Sequence, residues 1–283
     1  MSTPEETRAE MVKRVLQRRA FLEAQLPEER ETLLDFRKLF DLTRDRAKEY
    51  RTATPFPHIV IDDFLPPDSL AKVLDAMPRL DDARAKWGNL NANLPDGRPA
   101  QSSKYHLQNV LSMKPALRML FSELNSGPFT FLLSQLTGIE GLLVDAQMLG
   151  GGVHLVKPGG VLRVHADFRR HLSYNLERRL NFLLYMNPDW REEYGGHLEI
   201  WDREMKECAK RVLPVANRCV IFNTTDDSYH GHPHPLTCPE GMLRASIALY
   251  YYTADRPESV DGRVHSTAWQ ELPEEKSQKR TAE

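Results

Sequence analysis

The sequence predicts a mainly β protein, an antiparallel sandwich or barrel with helices packed outside it. Three observations carry this expectation. From Leu142 onward the chain runs as short apolar segments parted by turn formers: "LLVDAQML" then "GGG", "HLV" then "KPGG", "VLRVHADF", "RLNFLLYM" then "NPDW", "HLEIWD", "RCVIFN" and "RASIALYYYT". No helix-length segment stands between them, which argues against a parallel βαβ sheet. Helical periodicity is confined to the part of the chain ahead of these strands.

The elements follow in order. Residues 4–26 carry Met11, Val15 and Leu22 at helical spacing, and residues 28–50 carry Leu33, Phe36, Leu39 and Phe40, with Pro27 between the two segments. These read as amphipathic helices that pack on the core or against a second copy of the chain, a homodimer contact. Their polar faces mix acids and bases, which disfavours a membrane-surface role. At "PFPHIVIDDFLPPDSLAKVLDAMP" the period changes: a strand is expected over 58–64, Pro66 and Pro67 break it, and Leu70, Val73 and Leu74 open a helix. The stretch "WGNLNANLPDGRPAQSSKY", residues 87–105, reads as a long polar loop, either a lid over a site or a plain surface loop. Short helices are expected over 114–125 and 127–137, before the strands begin. The tail from Ala254 lacks apolar periodicity and is expected to be mobile. The expected organisation is a helical lead-in over 1–54, a folded domain over 55–253 and a tail over 254–283.

With 283 residues, 41% hydrophobic and 28% charged, the chain can bury a substantial core. A net charge of -2 with interspersed signs gives no electrostatic case for a nucleic-acid partner. Cys208, Cys219 and Cys238 are too few and scattered for a disulfide framework or a Cys-rich zinc site, and reduced thiols suit the cytoplasm. The opening "MSTPEETRAEMVKRV" is polar and lacks the apolar core expected of a signal peptide, and no run reaches about 18 apolar residues. A soluble cytoplasmic protein without a membrane partner is the expectation.

Within "VLRVHADF", strand alternation puts Arg163, His165 and Asp167 on one face and Leu162, Val164, Ala166 and Phe168 on the other. One imidazole and one carboxylate suit iron(II) or zinc, but two ligands do not make a site. "SYHGHPHPLT" offers His230, His232 and His234. His232 and His234 each precede a proline and read as extended, exposed loop or rim residues, so His230 is the expected third ligand. In "RASIALYYYT", Arg244 and Ser246 share a face. An arginine turned into a barrel needs an anion, either a bound carboxylate with Ser246 as a further donor, or an acid of the protein itself. Asn181 and Tyr185 are polar tips on one face of "RLNFLLYM" and could hydrogen-bond a carboxylate beside Arg244.

With H-x-D, a distal histidine and R-x-S in chain order, the sequence resembles the Fe(II)- and 2-oxoglutarate-dependent dioxygenases, in their prolyl-4-hydroxylase-like branch, from about Pro55 to Thr253. The segments that carry the resemblance are "GGGVHLVKPGGVLRVHADF", "RRLNFLLYMNPDWREEYGGHLEIWD" and "SYHGHPHPLTCPEGMLRASIALYYYT". The resemblance implies a double-stranded β-helix core, of jelly-roll or cupin-like form. It further implies that His165, Asp167 and His230 hold Fe(II), and that Arg244, Tyr185, Asn181 and Ser246 receive the far carboxylate of 2-oxoglutarate. O2 would be the second cosubstrate, with succinate and CO2 released as a C–H bond is hydroxylated or otherwise oxidised. The fourteen positions from His230 to Arg244, holding Pro233, Pro235 and Pro239, are more than collagen-type prolyl hydroxylases show.

That departure favours a small polar metabolite, such as a sugar-containing or amino-acid-derived natural product, over a prolyl or other side chain of a peptide or protein. Arg163, Arg169, Arg170 and His171 could meet an anionic substrate group or be solvated. Tyr105, Tyr174 and Tyr229 could form a stacking rim. A non-oxygenase, cupin-like metal-binding protein would need the three ligands but no inward Arg244, and metal-assisted hydrolysis would need a further base near the metal.

Overall fold

The computed structural model describes residues 10, 13, 14, 17, 32–171, 173–255 and 266–282. The helix expected over 4–26, with its suggested role in dimerisation, lies largely outside the described residues. Two helices open the described part, α1 (Phe36–Asp45) and α2 (Ala47–Thr52). The Asp35 carboxylate caps α1 by accepting from the Lys38 N–H at 2.9 Å. Strand β1 (His58–Ile61) and helix α3 (Pro67–Ala76) follow, with Pro67 in the first turn, where a missing N–H costs nothing.

Residues 87–105 do not form an open loop. They make four short strands, β2 (Gly88–Asn89), β3 (Ala92–Asn93), β4 (Pro99–Gln101) and β5 (Lys104–Leu107). The turn formers that suggested a loop instead supply the bends between these strands.

Helices α4 (Pro115–Leu124) and α5 (Gly127–Thr137) stand where helical spacing put them. Ser126 caps α5, and Gly138 ends it at φ 78°, a left-handed conformation open to glycine. The remaining strands are β6 (Leu143–Val144), β7 (Gly152–Val156), β8 (Leu162–Ala166), β9 (Glu177–Tyr185), β10 (Leu198–Trp201), β11 (Cys208–Val212), β12 (Cys219–Asn223), β13 (His230–His232) and β14 (Arg244–Thr253). Beyond them come β15 (Ala268–Trp269) and helix α6 (Pro273–Ala282).

The strands form two sheets. The larger runs β1-β12-β9-β14-β7-β5-β2, with β6 also on β14. The smaller runs β11-β10-β13-β8-β4-β3, with β15 also on β8. All the pairings are antiparallel.

Alternation divides the larger sheet cleanly. Leu180, Phe182 and Leu184 of β9, with Ile247 and Leu249 of β14, are buried in one core with Phe129, Leu132 and Leu133 of α5. Phe182 sits edge-on to Phe64 and Phe129, with ring centroids at 5.4 and 5.7 Å. Burying each such side chain stabilises the fold by roughly 1.5–3 kcal/mol. The alternate residues of these two strands face the space between the sheets.

β11 and β13 also escaped the sequence reading. β11 is a sheet edge whose middle residues are all exposed, so "CAKRV" has no buried face to betray it. β13 is three residues, "HGH", held between β8 and β10. Its centre must be glycine: a Cβ on Gly231 would lie 2.7 Å from the carbonyl oxygens of both Leu162 and Arg163.

Candidate metal and oxoacid site

β8 and β13 set the site. His165 pairs in register with His230, while His232 pairs with Leu162, so Arg163 and Val164 of β8 together oppose the single Gly231 of β13. This bulge breaks the two-residue alternation between Leu162 and His165. Leu162 therefore lines the same cavity as His165 and Asp167. Arg163, expected on that face, instead pairs with Glu275 of α6.

The two imidazoles lie with ring centroids 4.5 Å apart. The Nδ1 of His165 is 2.8 Å from the Arg163 carbonyl oxygen, and that of His230 is 2.9 Å from the Ser228 carbonyl oxygen. A carbonyl oxygen can only accept, so each neutral ring carries its proton on Nδ1 and leaves its Nε2 lone pair free. Those Nε2 atoms face the Asp167 carboxylate at 3.6 and 3.4 Å. One ligand atom from each of the three residues falls within 4.8 Å of the others, and all three residues are buried. Burial pushes His230 down to about 4, so it is neutral near pH 7. Three acceptors thus converge with no donor among them, an arrangement that a cation satisfies. Two imidazoles and one carboxylate on one side of a metal suit iron(II) and leave other coordination positions open.

Asp167 is itself held. Its Oδ2 accepts from Asn181 Nδ2 at 2.6 Å and lies 3.1 Å from Arg178 Nη2. Burial alone would raise the Asp167 pKa, but the charge of Arg178 and the two histidines outweigh it and hold the carboxyl well below the usual range. Arg178 is 1% exposed. Its Nε and Nη2 donate to Asn181 Oδ1 at 3.1 and 2.5 Å. Its guanidinium lies over the rings of Tyr250 and Phe168, at 3.5 and 4.6 Å from their centroids.

The Asn181 amide is thus engaged by Asp167 and Arg178, while the residue lines the same cavity as Arg244. Arg178 was missed because alternation alone does not distinguish a buried arginine at a strand's start from a solvated one.

Arg244 enters the same cavity from β14. Its Nε donates to the Gly196 carbonyl at 2.8 Å and its Nη2 to the Tyr185 hydroxyl at 3.5 Å. Gly196, at φ 69°, lets its chain pass against the arginine, since a Cβ there would lie 3.0 Å from Arg244 Cδ. Among the described residues no carboxylate pairs with Arg244, so the alternative of a protein acid as its partner is not what the fold provides. Burial lowers the Arg244 pKa, as expected for a cation short of an anion. Ser246 stands opposite Tyr185 in the ladder. His165, Asp167, His230, Arg244, Tyr185, Asn181 and Ser246 all line one cavity of about 300 Å³.

Other expectations fare differently. His232 is not an exposed rim residue: it is 4% exposed and lines the cavity, because β13 extends through it to the brink of Pro233. His234 is exposed, with 61% of its side chain accessible. Arg169 and Arg170 both pair with Glu177, and His171 faces Asp145 at 3.3 Å, so none of the three is offered to a ligand. Tyr105, Tyr174 and Tyr229 do not line the cavity.

The tail departs furthest from its expectation. β15 pairs with β8, setting Trp269 opposite His165 with ring centroids 5.1 Å apart. Gln270 N–H donates to the Val164 carbonyl at 2.8 Å, and Leu272 is buried with Val164, Trp201 and Met205. Glu275 bridges Arg163 and Arg98. Thr267 and Trp269 form part of the cavity wall. A two-residue strand on an existing edge has no period to read.

Residues 151–252 match the family model described as the 2OG-Fe(II) oxygenase superfamily. Over 79 residues, 26% of the chain, the sequence is 32% identical to prolyl 3-hydroxylase OGFOD1 of Mus musculus. That alignment spans 14% of the mouse protein's length. In fold, the chain is similar to a prolyl 4-hydroxylase from Phytophthora capsici, with a TM-score of 0.54 and 17% identity over 84% of this chain and 72% of that one. A prolyl hydroxylase from Trichoplax adhaerens, solved with a hypoxia inducible factor peptide, gives a TM-score of 0.53 and 16% identity over 76% of this chain and 91% of that one. The matched segment holds His165, Asp167, His230 and Arg244, so the part of the chain that builds the site is similar in sequence to the 2OG-Fe(II) oxygenases. In fold, its jelly-roll core is like that of these prolyl hydroxylases.

Proposed function

We propose that this protein hydroxylates, or otherwise oxidises, an unactivated C–H bond of a small polar molecule, with conversion of 2-oxoglutarate to succinate and CO2. The observation that supports this best is that a convergent His165, Asp167 and His230 share one cavity with an arginine that has no protein acid. A bare metal-binding scaffold has no use for that arginine, and among the described residues no further acid lines the cavity to serve a hydrolase as base.

His165, Asp167 and His230 would hold Fe(II), which supplies O2 activation when bound. Arg178 and Asn181 keep the Asp167 carboxylate ionised and oriented. Arg244, steadied by the Gly196 carbonyl, presents its outer nitrogens to the far carboxylate of 2-oxoglutarate, with the Tyr185 and Ser246 hydroxyls beside it. Trp269 and Leu162 exclude water from the wall next to His165.

A small substrate is favoured by the roof. The chain's own β15 occupies the β8 edge beside His165, where an extended peptide would otherwise lie. A second reading, a prolyl or other side chain of a peptide, is supported by the 32% identity with the mouse prolyl 3-hydroxylase. The test is succinate release from the purified, iron-loaded protein across a panel of metabolites and prolyl peptides. Stimulation by a metabolite supports the first reading, stimulation only by peptides supports the second, and no 2-oxoglutarate turnover under any condition defeats both. Arg244→Ala should raise the 2-oxoglutarate KM by at least thirtyfold, roughly 2 kcal/mol or more, while iron binding stays within a few-fold.

A further inference from the structure

One charged group in the cavity has no part in the chemistry assigned so far. Lys104, on β5, lines the cavity with Asp167, Arg178 and Arg244. The register Lys104–Val156–Arg244 across β5, β7 and β14 puts its backbone two strand spacings from Arg244, roughly 10 Å away. Its side chain is half-buried. Its ammonium has no hydrogen-bond or carboxylate partner among the described residues. Burial, and then the charge of Arg244, push Lys104 down to about 8.

The charge balance of the cavity leaves this cation in excess. Among the described lining residues Asp167 is the one acid, against the cations Lys104, Arg178 and Arg244. Asp167 and Arg178 offset each other as a 3.1 Å pair. The two charges of 2-oxoglutarate offset the two of Fe(II). The sum over all of these groups is then two positive charges, and since Arg244 meets the far carboxylate of 2-oxoglutarate, Lys104 is the cation among them that no anion meets. Such a surplus is costly unless an anion enters.

We propose that the molecule oxidised here carries an oxyanion, a carboxylate or a phosphate, and that Lys104 receives it. The position is reasonable for recognition: the chain from β2 to β4 gives Leu90, Ala92 and Gln101 to the cavity wall, and β7 separates β5 from the β14 strand that presents Arg244. A lysine is a compact point charge with rotatable donors, so it accepts either oxyanion geometry, unlike the planar fork of Arg244. The inference rests on the dioxygenase reading of the site.

The experiment uses full-length protein loaded anaerobically with Fe(II) and saturating 2-oxoglutarate, compared as wild type, Lys104→Met and Lys104→Arg. Inorganic phosphate and propionate serve as probe anions, followed by calorimetric titration. The visible iron–oxoacid charge-transfer band measures 2-oxoglutarate affinity independently. The expected result is millimolar binding of at least one probe by wild type, loss of at least tenfold in Lys104→Met, recovery in Lys104→Arg, and 2-oxoglutarate affinity within threefold throughout. Which probe binds identifies the oxyanion. Absence of binding of either probe to wild type overturns the proposal. So does a Lys104→Met protein that keeps its probe affinity, or one that loses 2-oxoglutarate affinity tenfold, which would make Lys104 a cosubstrate anchor. Failure of the band to form in wild type instead sinks the dioxygenase reading itself, a separate outcome.

Discussion

The two faces of β9 and β14 are built from the same backbone and do opposite work. Their outer face is Leu180, Phe182, Leu184, Ile247 and Leu249, closed under α5. Their inner face is Asn181, Leu183, Tyr185, Arg244 and Ser246, turned to a cavity. The outer face needs only volume and apolarity. The inner face spends stability, because each polar group taken from water there must find a partner. Asn181 finds Asp167 within the protein, whereas the outer nitrogens of Arg244 find only a long contact to Tyr185. An inner-face group that the fold leaves short of partners marks where a ligand is expected.

Substitutions on the two faces should separate stability from binding. The largest effect on folding is expected from Phe182→Ala, which removes the ring between Phe64 and Phe129 and should cost about 3–5 kcal/mol. Chemical denaturation measures it, and any protein that remains folded should keep near-normal iron affinity. Asn181→Ala, on the inner face, should leave stability less affected but weaken iron binding by roughly 10–100-fold, since it frees the Asp167 carboxylate to turn. A loss of iron affinity from Phe182→Ala as large as that from Asn181→Ala would break the comparison. The smallest effect concerns the roof. Glu275→Gln should loosen β15 and speed amide exchange at Gln270 by roughly fivefold, about 1 kcal/mol, with iron binding unchanged.

Much of this site can be read in the sequence because strand alternation is a strong signal wherever both faces are buried. Leu180 through Tyr185 and Arg244 through Leu249 sort correctly by period alone. His165, Asp167 and His230 come together because β8 and β13 are neighbours, a fact of topology that the family resemblance supplied. The parts that were not legible share a physical cause, since each depends on contacts between residues distant in the chain. A bulge in β8 turned Arg163 away from the cavity and Leu162 toward it. Gly231 let β13 lie close against β8, which buried His232 despite its following proline. The polar ribbon of β2–β5 and the strand β15 gain their order from edges of sheets already formed. Lys104 and Trp269 enter the cavity by that route.

The metal triad and Arg244 are expected to act on one ligand. Anaerobic titration with Fe(II) and 2-oxoglutarate tests this, with the weak visible charge-transfer band of an iron-chelated 2-oxoacid as the readout. A band is expected in wild type that is lost in Asp167→Ala even at high iron, and that in Arg244→Ala returns only at much higher 2-oxoglutarate. No band in wild type with both added, or a band in Arg244→Ala at the wild-type concentration of 2-oxoglutarate, would contradict it.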